Sequence, residues 1–108
     1  MTVTPTRFAS IQLTNASVEM YTAPANTRAV IKRLAVTNIT AGVITVTVTL
    51  TPSGGSALTV TSAFSVAAGV SAVLNEWANM VLSPGDKFSA LASANTSINL
   101  VASGFVVA

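Results

Sequence analysis

The sequence contains no cysteine and no histidine, which removes disulfides, thiolate nucleophiles and the commonest metal ligand together. Charge is scarce too: five basic and three acidic residues make up 7% of the chain, where an ordinary soluble domain carries about 25%. Proton-transfer catalysis needs a group that titrates near working pH, or a metal in its place. Three carboxylates and two lysines are the remaining candidates. Of these, only Glu76 and Asp86, which flank the segment Trp77 to Gly85, make a conceivable acid/base pair, and solvated carboxylates beside turns are the better reading. A calcium loop of the D-x-D-x-D-G type is missing. So is a phosphate cradle, because Ser53-Gly54-Gly55 follows a proline and leads into another strand. No catalytic residue, cofactor or metal is expected.

Aromatic residues number six. Trp77 and Tyr21 are the candidates for stacking on a sugar. Sugar sites gather several rings, however, so Trp77 reads better as a core or interface anchor. The stretch from Leu34 to Asn75 is uncharged, but alternating threonines, Pro52 and Gly54-Gly55 interrupt it, and no membrane span is expected. The first ten residues show no basic segment followed by an apolar one, so export through a secretory signal is not expected. Net charge is only +2, which implies no particular partner.

Ala, Val, Thr and Ser supply more than half of the 108 residues, a composition that favours pleated sheet over helix. Apolar residues recur with period two, and no window shows a capped 3.6-residue period. The expected strands are 8–13, 17–21, 28–38, 43–50, 57–66, 70–75, 79–82, 87–92 and 97–107. Turn chemistry separates them at 22–26, 51–55, 67–69 and 83–86; in the last, Pro84 and Gly85 specify a type II turn. Asn38 to Gly42 is expected to close a hairpin. The fold class is all-β: a single β-sandwich, jelly-roll-like, with an immunoglobulin-like sandwich as the alternative. Residues 1–6 form a loose N-terminal arm, able to pair with an edge strand or reach a neighbour, and 7–108 form the domain.

Three features of the strands bear on function. In residues 28–38, Ala29 and Ile31 share one parity while Leu34 and Val36 share the other, so a bulge near Lys32-Arg33 is expected to return all four to one face. Arg28, Lys32 and Arg33 are the only basic cluster, and a structural or interface role is preferred to nucleic-acid binding. In residues 43–51, Thr45, Thr47 and Thr49 lie opposite an apolar face. With Thr59 and Thr61 they invite an ice-binding reading, although only part of the necessary array exists. In the last strand, Val101, Phe105 and Val107 form a second apolar face, which should not stay wet over its whole length. Thr45, Thr47, Thr49, Val101, Phe105 and Val107 are therefore the candidate interface residues.

The run from Tyr21 to Leu50, the segment "LSPGDKFSALAS" and the closing "INLVASGFVVA" together resemble small β-sandwich virion proteins of tailed bacteriophages. In that pattern a Tyr-Thr-x-Pro opening leads into a strand with Ala and a basic residue, Asn ends the strand, a Pro-Gly-Asp turn follows, and a hydrophobic strand closes the chain. The resemblance spans residues 21–108. It implies a non-enzymatic virion structural protein, of the capsid decoration or cement type, made in the bacterial cytoplasm. Tail, neck and fibre components carry similar domains. The implied partner is the major capsid protein or another virion protein, and the implied state a homo-oligomer, trimer or dimer; neither nucleic acid nor membrane is implied. A carbohydrate-binding module centred on Trp77 and Tyr21 is the rival from another class.

Overall fold

The computed structural model describes residues 2–108. In chain order the strands are β1 (Val3–Gln12), β2 (Val18–Thr22), β3 (Arg28–Asn38), β4 (Ile44–Thr51), β5 (Leu58–Val66), β6 (Ser71–Val73), β7 (Met80–Leu82), β8 (Lys87–Ala92) and β9 (Ile98–Val107), with one 3-10 turn at Asn75–Trp77. Alternation explains them directly. In β4, Ile44, Val46 and Val48 are buried while the threonines between them are half-covered. In β8, Phe88, Ala90 and Ala92 point inward.

Two antiparallel sheets face each other. One runs β1-β9-β3-β6, with β7 also on β3; the other runs β2-β8-β4-β5. β6 pairs with Ala35–Thr37 and β7 with Ala29–Ile31, so the two are a single strand broken by the 3-10 turn. Counted that way, the chain passes between sheets at every connection except the β4–β5 hairpin. This is the jelly-roll order, and it disposes of the immunoglobulin-like alternative, whose sheets group their strands differently.

The same order corrects one expectation. Asn38 to Gly42 does not close a hairpin, because β3 and β4 lie in different sheets. The segment is an inter-sheet corner built on the buried amide of Asn38. Its Nδ2 donates to the carbonyls of Gly42 (2.7 Å) and Val66 (2.9 Å), and its Oδ1 accepts from the N–H (2.9 Å) and hydroxyl (2.7 Å) of Thr40. All of the amide's hydrogen-bonding capacity toward its surroundings is thereby used to hold the two sheets together.

Part of the segment read as a loose arm, Val3 to Thr6, is not loose: it belongs to β1, itself the edge strand of the first sheet, and pairs with Val107 to Gly104 of the interior strand β9. Met1 lies outside the described residues. The bulge in β3 is where alternation placed it: register shifts between Ile31 and Arg33, and Ala29, Ile31, Leu34 and Val36 are all buried. β1 has a matching shift between Arg7 and Ala9. The two bulges flank Gly104 on β9, where an added Cβ would collide with the Val30 carbonyl oxygen and reach Lys32 N at 2.9 Å and the Phe8 ring at 3.0 Å. Only glycine fits there. Between the sheets, Trp77 and Phe88 meet at 5.7 Å in a core that also holds Leu34, Leu74, Leu82 and Leu100.

Candidate interaction surface

The 3-10 turn projects Trp77 into the core, where it has no exposed surface. Its Nε1 donates to Thr61 Oγ1 (3.0 Å), and that hydroxyl donates to Glu76 Oε2 (2.6 Å). The relay fastens the interrupted strand of the first sheet to β5 of the second. It also corrects the stacking assignment: Trp77 offers no open ring face, so the anchor reading stands. Tyr21 is half-buried and packs on Phe8, with ring centroids 4.7 Å apart. Burial pushes its hydroxyl pKa upward. Without Trp77 it stands as a single ring, not a sugar platform.

The three carboxylates serve separate structural tasks. Glu19 pairs with Lys87 at 3.5 Å, Glu76 ends the tryptophan relay, and Asp86 accepts from Ser53 N (2.8 Å) and Ser83 N (3.0 Å) at the Pro84-Gly85 turn. Among the described residues no group of three or more Asp, Glu, His or Cys could hold a metal ion.

Thr45, Thr47 and Thr49 lie on the outer face of the second sheet, half-covered because β4 is an interior strand between β8 and β5. Thr49 stands beside Thr59 and Ser89, Thr47 beside Leu91, and Thr45 beside Ser65. Thr47 Oγ1 accepts from Ala63 N at 3.1 Å, where β5 bulges and Ala63 takes a φ of 44°. That bulge turns Thr61 into the core opposite Val48. The threonine rank therefore stops short on β5, and the array required for ordering water is incomplete.

Val101, Phe105 and Val107 lie on the outer face of the first sheet. Strand order gives them neighbours that sequence reading missed. Pro5, Phe105, Val30 and Val81 stand side by side across β1, β9, β3 and β7; Val81 is 49% exposed. Ser10, Val101, Ala35 and Val73 form a second row across β1, β9, β3 and β6, with Val101 45% exposed. Val107 lies between Val3 and Arg28 at the end of the sheet. Between the two apolar rows runs a basic one: Ser103 has Arg7 on one side and Arg33 on the other. The β3 bulge puts Lys32 and Arg33 on this face together, since both are exposed between buried Ile31 and Leu34. Lys32 Nζ donates to Asn79 Oδ1 at 2.5 Å. Alternation in β9 supplied one residue of each apolar row; the rest depended on strand order.

No family model matches the chain, and no curated protein matches its sequence. Its backbone is similar to solved structures from infectious bursal disease virus: the viral particle, at a TM-score of 0.57 and 13% identity, and the VP2 subviral particle, at 0.55 and 15%. Each likeness takes in 97% of this chain but only 30% and 32% of the viral chains, so this chain spans about a third of their length. What is shared at such identity is the fold, a jelly-roll sandwich of the kind found in a virus particle.

Proposed function

We propose that this chain is a non-enzymatic structural protein of a virion, specifically a capsid decoration protein of a tailed bacteriophage that binds and reinforces the assembled shell. The observation that carries this reading is the outer face of the first sheet, where one apolar row crosses four strands and a second crosses three, both at the surface of the lone chain. A surface of that kind is suited to burial against a partner. The fold supports it, since the same sandwich occurs in a virus particle. A ligand that binds only the assembled shell lowers the shell's free energy by mass action, and many equivalent contacts add through avidity. Self-association into a trimer or dimer belongs to the same proposal, with the hydroxyl-rich face of β4 as its surface. Burial of Trp77 removes the support for a carbohydrate-binding module.

Purified particles test the reading. Phage grown with and without this chain are compared by protein composition and by the temperature at which the shell releases DNA. Many copies per particle, on heads freed of tails, and earlier release when the chain is missing are expected. Particles that lack the protein, or carry it only on tails or necks, would refute the decoration role.

A further inference from the structure

We propose that the outer face of the β1-β9-β3-β7 sheet docks onto an acidic surface of another protein. Carboxylates of the partner enter the row of Arg7 and Arg33, and its apolar residues cover the two rows on either side. The inference deepens the virion reading and rests on it for the partner's identity, the shell protein.

Charge distribution supplies the first reason. Arg7, Arg28, Lys32 and Arg33 are all exposed on this one sheet, and among the described residues none of them forms an ion pair. The side-chain carboxylates are engaged elsewhere, with Lys87, with Thr61 and at the turn 83–86. A chain with a net charge of +2 thus displays four of its five cations on one face with no acid among them. Such a face steers toward, and selects, a negative partner.

The arrangement of the cations decides what kind of partner. Arg7 and Arg33 sit two strands apart, about 10 Å between Cα atoms at an interstrand spacing of about 4.8 Å. Their guanidinium forks can each take a carboxylate in bidentate fashion. Apolar rows flank them along both strand directions. A phosphate backbone would gain nothing from Val81, Val73 and Val101, and Phe105 is the single ring on this face, half-covered and without a companion for base stacking. A protein surface uses both features, with an apolar centre and charge-paired positions. A second copy of this chain is disfavoured as occupant, because a two-fold contact through the face would set the arginine row against itself. The cations therefore commit the face to a different protein.

Particles purified from phage grown without this chain are mixed with the wild-type protein, with the Arg7→Glu/Arg33→Glu variant and with the milder Arg7→Gln/Arg33→Gln variant, and bound protein is measured by co-sedimentation at low and high salt. Both side chains changed, Arg7 and Arg33, are exposed, and circular dichroism establishes that the variants fold. Charge reversal should weaken binding by about 30-fold or more, neutralisation by less, and salt should weaken the wild type. Wild-type binding that the folded reversal variant matches would overturn the docking face and leave the virion reading intact. If the wild type does not bind particles at all, the virion reading falls, and labelled probes decide the face. Preference for a soluble peptide alternating Glu and Leu pairs, over its Ser analogue and over duplex DNA, lost in the reversal variant, supports the proposal. Preference for DNA, or none, overturns it.

Discussion

Replacing Asn38 tests whether one amide holds the corner between the sheets. In the Asn38→Ala chain the carbonyls of Gly42 and Val66 lose their donor, and the N–H and hydroxyl of Thr40 lose their acceptor. Groups near the exposed loop regain water, at about 0.5–1 kcal/mol in total, whereas the Val66 bond is buried and an unmatched carbonyl there costs about 1–3 kcal/mol. With the lost packing of the buried side chain, the sum is about 3–4 kcal/mol, a large share of the 5–15 kcal/mol, roughly, that stabilises a domain. At about 4–8 °C per kcal/mol, melting should fall by roughly 15–25 °C. Urea unfolding followed by Trp77 fluorescence measures it. Asn38→Asp has nearly the same shape but turns a carboxylate toward two carbonyl oxygens, so at neutral pH it should be worse than alanine. Those oxygens raise the folded pKa of the aspartate, so its deficit should shrink as pH falls toward the unfolded value of about 4 and level off below it. A cost below about 1 kcal/mol for alanine, or aspartate no worse than alanine, would refute the reasoning.

Gly104→Ala should prevent folding or cost several kcal/mol, since the new methyl would occupy the space of the Val30 carbonyl oxygen between two bulges; a chain that melts within a few degrees of wild type would mean that the bulges relax. Thr61→Val keeps the shape but strips the partner from Trp77 Nε1 and Glu76, at about 1–3 kcal/mol by chemical denaturation, and Glu76→Gln, which can still accept from Thr61, should cost less. Tyr21 gives a pH signature. Its folded pKa is raised by burial, so the stability linked to its neutral form is complete below the unfolded value near 10 and declines as pH rises through the folded one. Alkaline unfolding should therefore be shallower in Tyr21→Phe, and identical profiles would show that the hydroxyl is not desolvated.

Legibility differed by the range of the interaction. Strands 28–38 and 87–92 were readable to the residue because alternation and turn chemistry are local, and the β3 bulge was readable because Ile31 and Leu34 cannot both be buried without it. The corner at Asn38 was misread because a hairpin and an inter-sheet crossing use the same polar residues, and only strand order separates them. Ala63 gave no warning of a positive φ, since alanine is not a residue that favours one, and so Thr61 was placed on the wrong face. At the candidate surface, β9 disclosed Val101, Phe105 and Val107, while Pro5, Val30 and Val81 became their neighbours only through pairings that join the two ends of the chain.

β9, the last strand, is not at an edge but lies between β1 and β3, joining the earliest residues to the middle of the sequence. Until residues 98–107 have left the ribosome, β1 has no partner and the first sheet cannot close. Topologies dominated by such distant pairings fold slowly, because loop closure must precede the contacts that reward it. A chain that stops at residue 90 would hold Ile31, Leu34 and Val36 with half their sheet missing, and this stretch carries little charge to keep it apart from its neighbours. Folding of this sandwich therefore waits for β9 and is all-or-none, and truncation before Ile98 should yield aggregate in place of a smaller domain.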